Sequence, residues 1–246
     1  MVIGFCGSGN MAAAMARGLR GQADGMLFTD SGSGRAAELA AELGGEALDS
    51  NEELAGRADV IVLAVKPAKL DQVAAELAAA KVIVSLLGAT SLERVESAFP
   101  AAEVVRLMPN VGVEVRRGVL CVAGSRHAGV RVLLESLGHV VDLDDAEFDA
   151  ATAVMGCAPA YVALAVEAIA DAGAANGLDQ ELARELVVET TAGTAELLRR
   201  RHPADVRKAV ASPGGSTEAG LEALDREGAR EAFEAAVRAS LERMRG

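Results

Sequence analysis

The sequence predicts an α/β protein: an N-terminal doubly wound, Rossmann-type sheet over residues 1–145, then an all-α dimerisation domain over residues 146–246. Three observations carry this expectation. Short apolar runs alternate with helical stretches through the first part, the pattern of a parallel sheet covered by helices. The first apolar run is followed at once by a glycine-rich turn. From Asp144 onward no strand pattern remains, only long alanine-rich helical periods.

Val2–Cys6 is an uninterrupted apolar run, as expected of a strand buried on both faces. Gly7-Ser8-Gly9-Asn10-Met11-Ala12 follows directly, and Met11–Leu19 reads as a helix. This is a G-x-G-x-x-A turn in the strand–turn–helix setting of a dinucleotide site. The first glycine permits the tight turn, the second lets a pyrophosphate approach the backbone, and the small third residue lets helix and strand pack closely. A second strand, Met26–Thr29, ends at Asp30. A carboxylate about 20 residues past the loop can take the ribose hydroxyls of NAD. Ser31, Ser33 and Arg35 can instead hold the 2′-phosphate of NADP, and Asp30 can equally cap a helix. The cofactor therefore reads as NADPH or NADH.

Arg35–Leu43 is helical and is closed by Gly44-Gly45. Asn51 precedes the next strand and can cap a helix or touch the cofactor. Asp59–Val65 is a buried strand with Lys66-Pro67 at its C-terminal end, the sheet edge that lines a cofactor crevice in this architecture. Lys66 can hold a phosphate or carboxylate there, or be an ordinary solvated lysine. Leu70–Ala80 reads as helix, Lys81–Leu86 as strand, Leu92–Phe99 as helix and Glu103–Leu107 as strand. Gly118–Val122 and His139–Leu143 are further strands joined by a helix over Val130–Leu137, for seven or eight strands in all.

Helices are predicted over Ala146–Val154, Pro159–Asn176, Gln180–Arg200, Pro203–Ala211, Pro213–Arg226 and Ala229–Arg245. Ala150 to Val166 carries no charge, but Gly156 and Pro159 interrupt it, so it is a weak membrane span and reads as a buried helix. Alanine-rich helices with so little polar relief cannot all bury their faces within about 100 residues. Pairing with a second copy is the natural remedy, and a homodimer through this half is expected. Within it, Ser212 is a good N-cap and Pro213 a good first helical residue. Gly214 and Gly215 in a first turn are poor helix formers. They would let a ligand reach unsatisfied amides, and with the hydroxyls of Ser212, Ser216 and Thr217 the turn suits a small carboxylate. The bland alternative is a Gly-Pro turn before a surface helix.

Composition narrows the function further. Apolar residues make up 51% of the chain but aromatics only 2%, so the core must be Ala, Val and Leu. The net charge of −12 argues against nucleic acid or an anionic membrane as partner. Cys6, Cys121 and Cys157 are odd in number and scattered. They suggest neither a disulfide framework nor a metal site, and a cytoplasmic location follows. The start, Met1-Val2-Ile3-Gly4, shows no basic region or cleavage pattern, so no signal peptide is expected.

Taken together, the chain resembles the pyrroline-5-carboxylate reductases, the last enzymes of proline synthesis. The resemblance runs in order over essentially the whole length. It rests on Ile3–Ala12, Ala64-Val65-Lys66-Pro67, Arg106-Leu107-Met108-Pro109-Asn110, Ala158-Pro159-Ala160-Tyr161 and Glu167–Gly173. Most diagnostic is His202-Pro203 followed by Ser212-Pro213-Gly214-Gly215-Ser216-Thr217. The resemblance implies that Gly7, Gly9, Asn10 and Met11 hold the cofactor pyrophosphate, with Asn51 and Ala64–Pro67 lining the rest of the crevice. It implies that Ser212, Gly214, Gly215, Ser216 and Thr217 hold the carboxylate and ring nitrogen of a cyclic imine. It further implies a substrate site shared between subunits, with Thr217 orienting the ring nitrogen. The chain departs from the family pattern in three places. Val111-Gly112 stands where Thr-Pro is usual, Met155-Gly156-Cys157-Ala158 replaces a Ser/Gly-rich turn, and Arg199–Arg201 replaces an acidic residue of some animal members.

Three competing readings remain at this level. A hydroxyacid dehydrogenase of the same build would need a base early in the helical half, commonly lysine, yet the only lysine after Lys81 is Lys208. A reductase of another cyclic imine would need no different residues. A non-catalytic cofactor-binding protein could lose the Ser212–Thr217 loop, which is intact here.

Overall fold

The computed structural model describes residues 1–245. Eight strands form one sheet: β1 (Val2–Cys6), β2 (Gly25–Thr29), β3 (Glu46–Ala47), β4 (Val60–Leu63), β5 (Val82–Ser85), β6 (Glu103–Pro109), β7 (Gly118–Gly124) and β8 (Gly138–Asp142). Their order is β3-β2-β1-β4-β5-β6-β7-β8. All neighbours are parallel except β6 and β7. Only residues 110–117 separate those two strands, too few for a crossover, which takes about a dozen residues or more. The chain therefore turns back on itself.

The helices of this part are α1 (Asn10–Gly18), α2 (Arg35–Leu43), α3 (Asn51–Arg57), α4 (Leu70–Glu76), α5 (Leu92–Ala98), α6 (Ala128–Glu135) and α7 (Phe148–Ala151). Alternate residues of each strand point to opposite faces. Ile3, Phe5, Val60 and Val62 pack with α1, α2 and α6 on one face, and Ile61, Leu63 and Ile83 pack with α3, α4 and α5 on the other. The few aromatics sit at the centre, with Phe5 and Phe28 stacked at 5.2 Å.

The structure corrects several local expectations. β3 is a strand that the Gly44-Gly45 closure hid. It is only two residues long and sits at the sheet edge, and a side chain at Gly45 would come within 2.5 Å of the Met26 carbonyl oxygen. The helix expected over Ala146–Val154 is instead a 3-10 turn (Asp145–Glu147), then α7, then a π-helical turn (Thr152–Gly156). Tertiary bonds from β6 overrule the local helical preference there. The guanidinium of Arg106 donates to Asp145 and lies 4.3 Å over the Phe148 ring, and the side-chain amide of Asn110 donates to the Met155 carbonyl.

The remaining chain is helical: α8 (Ala158–Ala175), α9 (Gln180–Leu198), α10 (Pro203–Val210), α11 (Ser216–Arg226) and α12 (Ala229–Arg245). Residues group into two compact units, Met1–Cys157 with the chain end from Leu241, and Ala158–Ser240. In the second unit α8 packs along α9, where Ala170 and Ala183 are buried and Gly173 permits close approach. Tyr161 on α8 is bonded to Ser240 on α12 at 2.6 Å. The expectation of a buried helix through Ala150–Val166 fails for the single chain. Val162 and Leu164 are at least half exposed, as are Ile169 on the same helix and Leu186 on α9. One protomer does not have enough partner surface to cover these faces.

Candidate active site

The order of strands reverses between β1 and β4, and ligands of doubly wound sheets bind beyond the C-terminal ends of the strands at such a switch point. The turn after β1 and the segment after β4 meet there. The amide of Ala64 donates to the Cys6 carbonyl at 2.8 Å. Gly7 adopts φ +95, and a side chain on it would lie 2.6 Å from the Ala64 carbonyl oxygen and 3.3 Å from a Val65 methyl. Gly7, Ala64 and Val65 are thus brought together as the sequence required. Lys66 and Pro67 follow at the rim, exposed, with Pro67 opening a 3-10 turn.

Gly9 is the N-cap of α1, and no side chain caps this helix. A Cβ on Gly9 would meet nothing within 4 Å. Uncapped first-turn amides behind open space form a cradle that fits a pyrophosphate. Asn10 is exposed and Met11 half-buried on that first turn. Sequence reasoning passed over Ser8, whose buried hydroxyl donates to the Thr29 carbonyl at 3.1 Å and pins the turn to the end of β2. Nothing in the motif marks that residue, since the fingerprint leaves it free.

Asn51 lies within α3 as its first residue, and Ser50 is the cap, accepting from the Glu53 amide. The Asn51 amide group is turned to the protein. Its oxygen accepts from Thr29 Oγ1 at 2.6 Å and Cys6 Sγ at 3.4 Å, and its nitrogen donates to Glu76 at 2.6 Å. It therefore ties the ends of β1 and β2 to α4. Burial pushes the Cys6 thiol up to about 12, so it stays neutral.

Asp30 ends β2, as expected, but its carboxylate is engaged within its own loop by Gly32, Ser33 and Ala36. Ser31 beside it is exposed.

In the helical unit, the expected helix start at Pro213 moves to Ser216. Gly215 is the N-cap, and Ser212 is not. Gly214 adopts φ +73, a left-handed conformation that cannot continue a right-handed helix, and the Gly215 amide closes a turn onto the Ser212 carbonyl at 2.9 Å. Glu218 accepts from the Gly214 amide at 2.7 Å. No side chain caps the first turn of α11, which carries Ser216 and Thr217, both exposed. The loop presents free amides and three hydroxyls together, the donor set a small carboxylate requires. His202, the cap of α10, accepts from the Ala204 amide, as its place before Pro203 suggested. A cavity of about 460 Å³ between β6, β7, β8 and α6 shares no residue with either loop.

Comparison with known proteins bears on both halves. The family described as pyrroline-5-carboxylate reductase dimerisation matches residues 145–246, and that described as NADP oxidoreductase, coenzyme F420-dependent, matches residues 2–88. The pyrroline-5-carboxylate reductase of a Synechocystis species is 39% identical over 78% of this chain and 76% of its own length. That of Pseudomonas aeruginosa is 36% identical over 98% of this chain and 94% of its own. Among solved structures, Plasmodium falciparum pyrroline carboxylate reductase with NADP bound superposes with a TM-score of 0.88 at 28% identity, covering 99% of this chain and 97% of that one. The Streptococcus pyogenes enzyme gives 0.87 at 30%, covering 99% and 98%. An eight-stranded sheet with a glycine turn at its switch point, a helical half and relatives aligned nearly end to end lead to one conclusion: the chain belongs to the pyrroline-5-carboxylate reductase family.

Proposed function

We propose that this chain reduces the C=N bond of 1-pyrroline-5-carboxylate to give proline, the last step of proline biosynthesis, with NADPH or NADH as reductant. The observation that carries the reading is the Ser212–Thr217 loop. It is an uncapped helix start with a left-handed glycine, in a chain 36% identical to the Pseudomonas enzyme over 98% of its length. The bound cofactor supplies a hydride to the imine carbon. The protein's own work is alignment. Gly7 and Gly9 keep the turn free of side chains, and the amides of Asn10 and Met11 face the pyrophosphate. Ala64, Val65, Lys66 and Pro67 line the crevice, with Asn51 holding strand ends in place. Ser212, Gly214, Gly215 and Ser216 hold the substrate carboxylate. Thr217 orients the ring nitrogen by a hydrogen bond. The imine protonates in water before binding, so a weakly acidic hydroxyl suffices and proximity does the rest.

The boundary we assign lies near residue 145, with the sheet domain before it and the dimerisation and substrate domain after it. The exposed apolar faces of α8 and α9, and the family match over residues 145–246, support a homodimer. Residues 145–175 are apolar enough to cross a membrane by composition, and we read them as interface for the same reason. Three free cysteines favour a reducing cytoplasm.

The test is oxidation of NADPH and NADH, followed at 340 nm, with pyrroline-5-carboxylate and with its six-membered-ring homologue. Strong turnover on the five-membered ring is expected. Thr217→Ala is expected to lower turnover at least about tenfold with cofactor affinity nearly unchanged. Cofactor binding without turnover on either ring would overturn the proposal.

A further inference from the structure

The loop between β2 and α2 folds around Asp30. Oδ1 accepts from the amides of Gly32 at 2.7 Å and Ser33 at 3.0 Å, and Oδ2 accepts from the Ala36 amide at 2.8 Å and the Ser33 hydroxyl at 2.9 Å. A carboxylate offers about four acceptor sites, and here all of them are spent inside the loop. Burial alone would raise the Asp30 carboxyl, but the amides of Ala36, Gly32 and Ser33 and the Ser33 hydroxyl outweigh it and hold it below the usual carboxylate range. Asp30 is thus ionised, yet it has no acceptor left for ribose hydroxyls. Arg35, exposed at the start of α2, reaches back and donates to Asn10 Oδ1 at 2.6 Å. That contact leaves the guanidinium beside the turn that would hold the pyrophosphate, with most of its five donors unused.

We infer that Arg35 reads the 2′-phosphate of the adenosine ribose, and that Asp30 is a positioning residue that folds the loop presenting it, not a ribose ligand. This inference rests on the dinucleotide-binding reading above and adds its selectivity. An acid at the end of the second strand ordinarily selects the unphosphorylated ribose. Here the negative charge faces three amide dipoles and a hydroxyl of its own loop. The outward-facing group is a guanidinium, whose planar fork suits phosphate.

The experiment is calorimetric titration of the intact protein with 5′-AMP and with adenosine 2′,5′-bisphosphate. The added phosphate is expected to tighten binding at least about tenfold. Arg35→Ala should abolish that gain with AMP affinity little changed, and Arg35→Lys should keep part of it. Asp30→Asn cannot accept from Ala36 with its nitrogen, so the loop loosens and the gain should shrink. A ribose-binding aspartate predicts the opposite: weaker AMP binding and a larger preference for the 2′-phosphate. The inference is overturned by a wild-type protein indifferent to the 2′-phosphate, by a gain that survives Arg35→Ala, or by a raised preference in Asp30→Asn. If neither nucleotide binds the wild type, the dinucleotide reading itself has failed and this one falls with it.

Discussion

Replacing the two glycines of the first turn one at a time should separate folding from binding. Gly7 sits at φ +95, and a Cβ there would lie 2.6 Å from the Ala64 carbonyl oxygen and 2.9 Å from its carbon. Those are backbone atoms, held by the bond from the Ala64 amide to the Cys6 carbonyl, and they cannot swing aside as a side chain would. The left-handed conformation costs an L-residue about 1–2 kcal/mol, and overpacking adds about 1–3 kcal/mol. A less flexible unfolded chain offsets about 0.4–1 kcal/mol. Gly7→Ala is therefore expected to lose about 3 kcal/mol, which at this length lowers the melting temperature by roughly 6–12 °C. Gly9 has φ −74 and ψ 179, open to any residue, and its Cβ would touch nothing. Gly9→Ala should leave stability within about 1 kcal/mol, since a poorer cap offsets the entropy gain. Its methyl group would occupy the space over the uncapped amides of α1, and NADPH affinity should fall at least about tenfold. Thermal melts by circular dichroism and calorimetric titration with NADPH measure the two effects. A Gly9→Ala protein that binds NADPH like the wild type would falsify the placement of the pyrophosphate. Unchanged melting of Gly7→Ala would refute the clash.

Further expectations follow from the packing. Arg106 is 5% exposed, donates to Asp145 at 2.6 Å and covers Phe148; Arg106→Ala should cost about 3 kcal/mol in urea unfolding, and an unchanged midpoint would count against the clamp on residues 145–157. The Cys6 thiol is held up to about 12 by burial, so the folded state keeps a proton that the unfolded chain releases above its ordinary thiol range. Stability should accordingly fall between about pH 9 and 12, by up to roughly 1.4 kcal/mol per pH unit. Urea midpoints of the wild type at pH 8 and pH 10 should differ more than those of Cys6→Ala, and parallel pH curves would refute this. Ile169 is 59% exposed in one protomer; Ile169→Glu should sediment as a monomer if α8 lies in the subunit interface, whereas a dimer unaffected by the charge would place that interface elsewhere.

Features built from neighbouring residues were readable in advance. The turn at Gly7–Ala12 is a strand, two glycines and a helix in immediate succession, and each residue's role follows from local geometry. The same holds for His202 as a cap, set by the proline after it, and for the apolar runs that became β1, β4 and β5. Long-range bonds were not readable. The π-helical turn at Thr152–Gly156 lies in a sequence with ordinary helical preference, and Arg106 and Asn110, some 40 residues earlier, hold the segment that contains it. The start of α11 moved because the left-handed Gly214 stops the helix that Ser212 and Pro213 could have begun.

By itself, the sequence determined the alternation of strands and helices, the glycine turn after β1, the second glycine loop in a helical half, and the shortage of polar surface that calls for a partner. Local sterics and hydrophobic period decide each of these, and both act over a few residues. Only the tertiary structure decided that β7 runs against β6, that Asn51 braces strand ends, and that Asp30 spends its carboxylate on its own loop while Arg35 faces outward. Which acceptor a donor finds depends on what folding brings within about 3 Å, and spacing along the chain does not encode that distance.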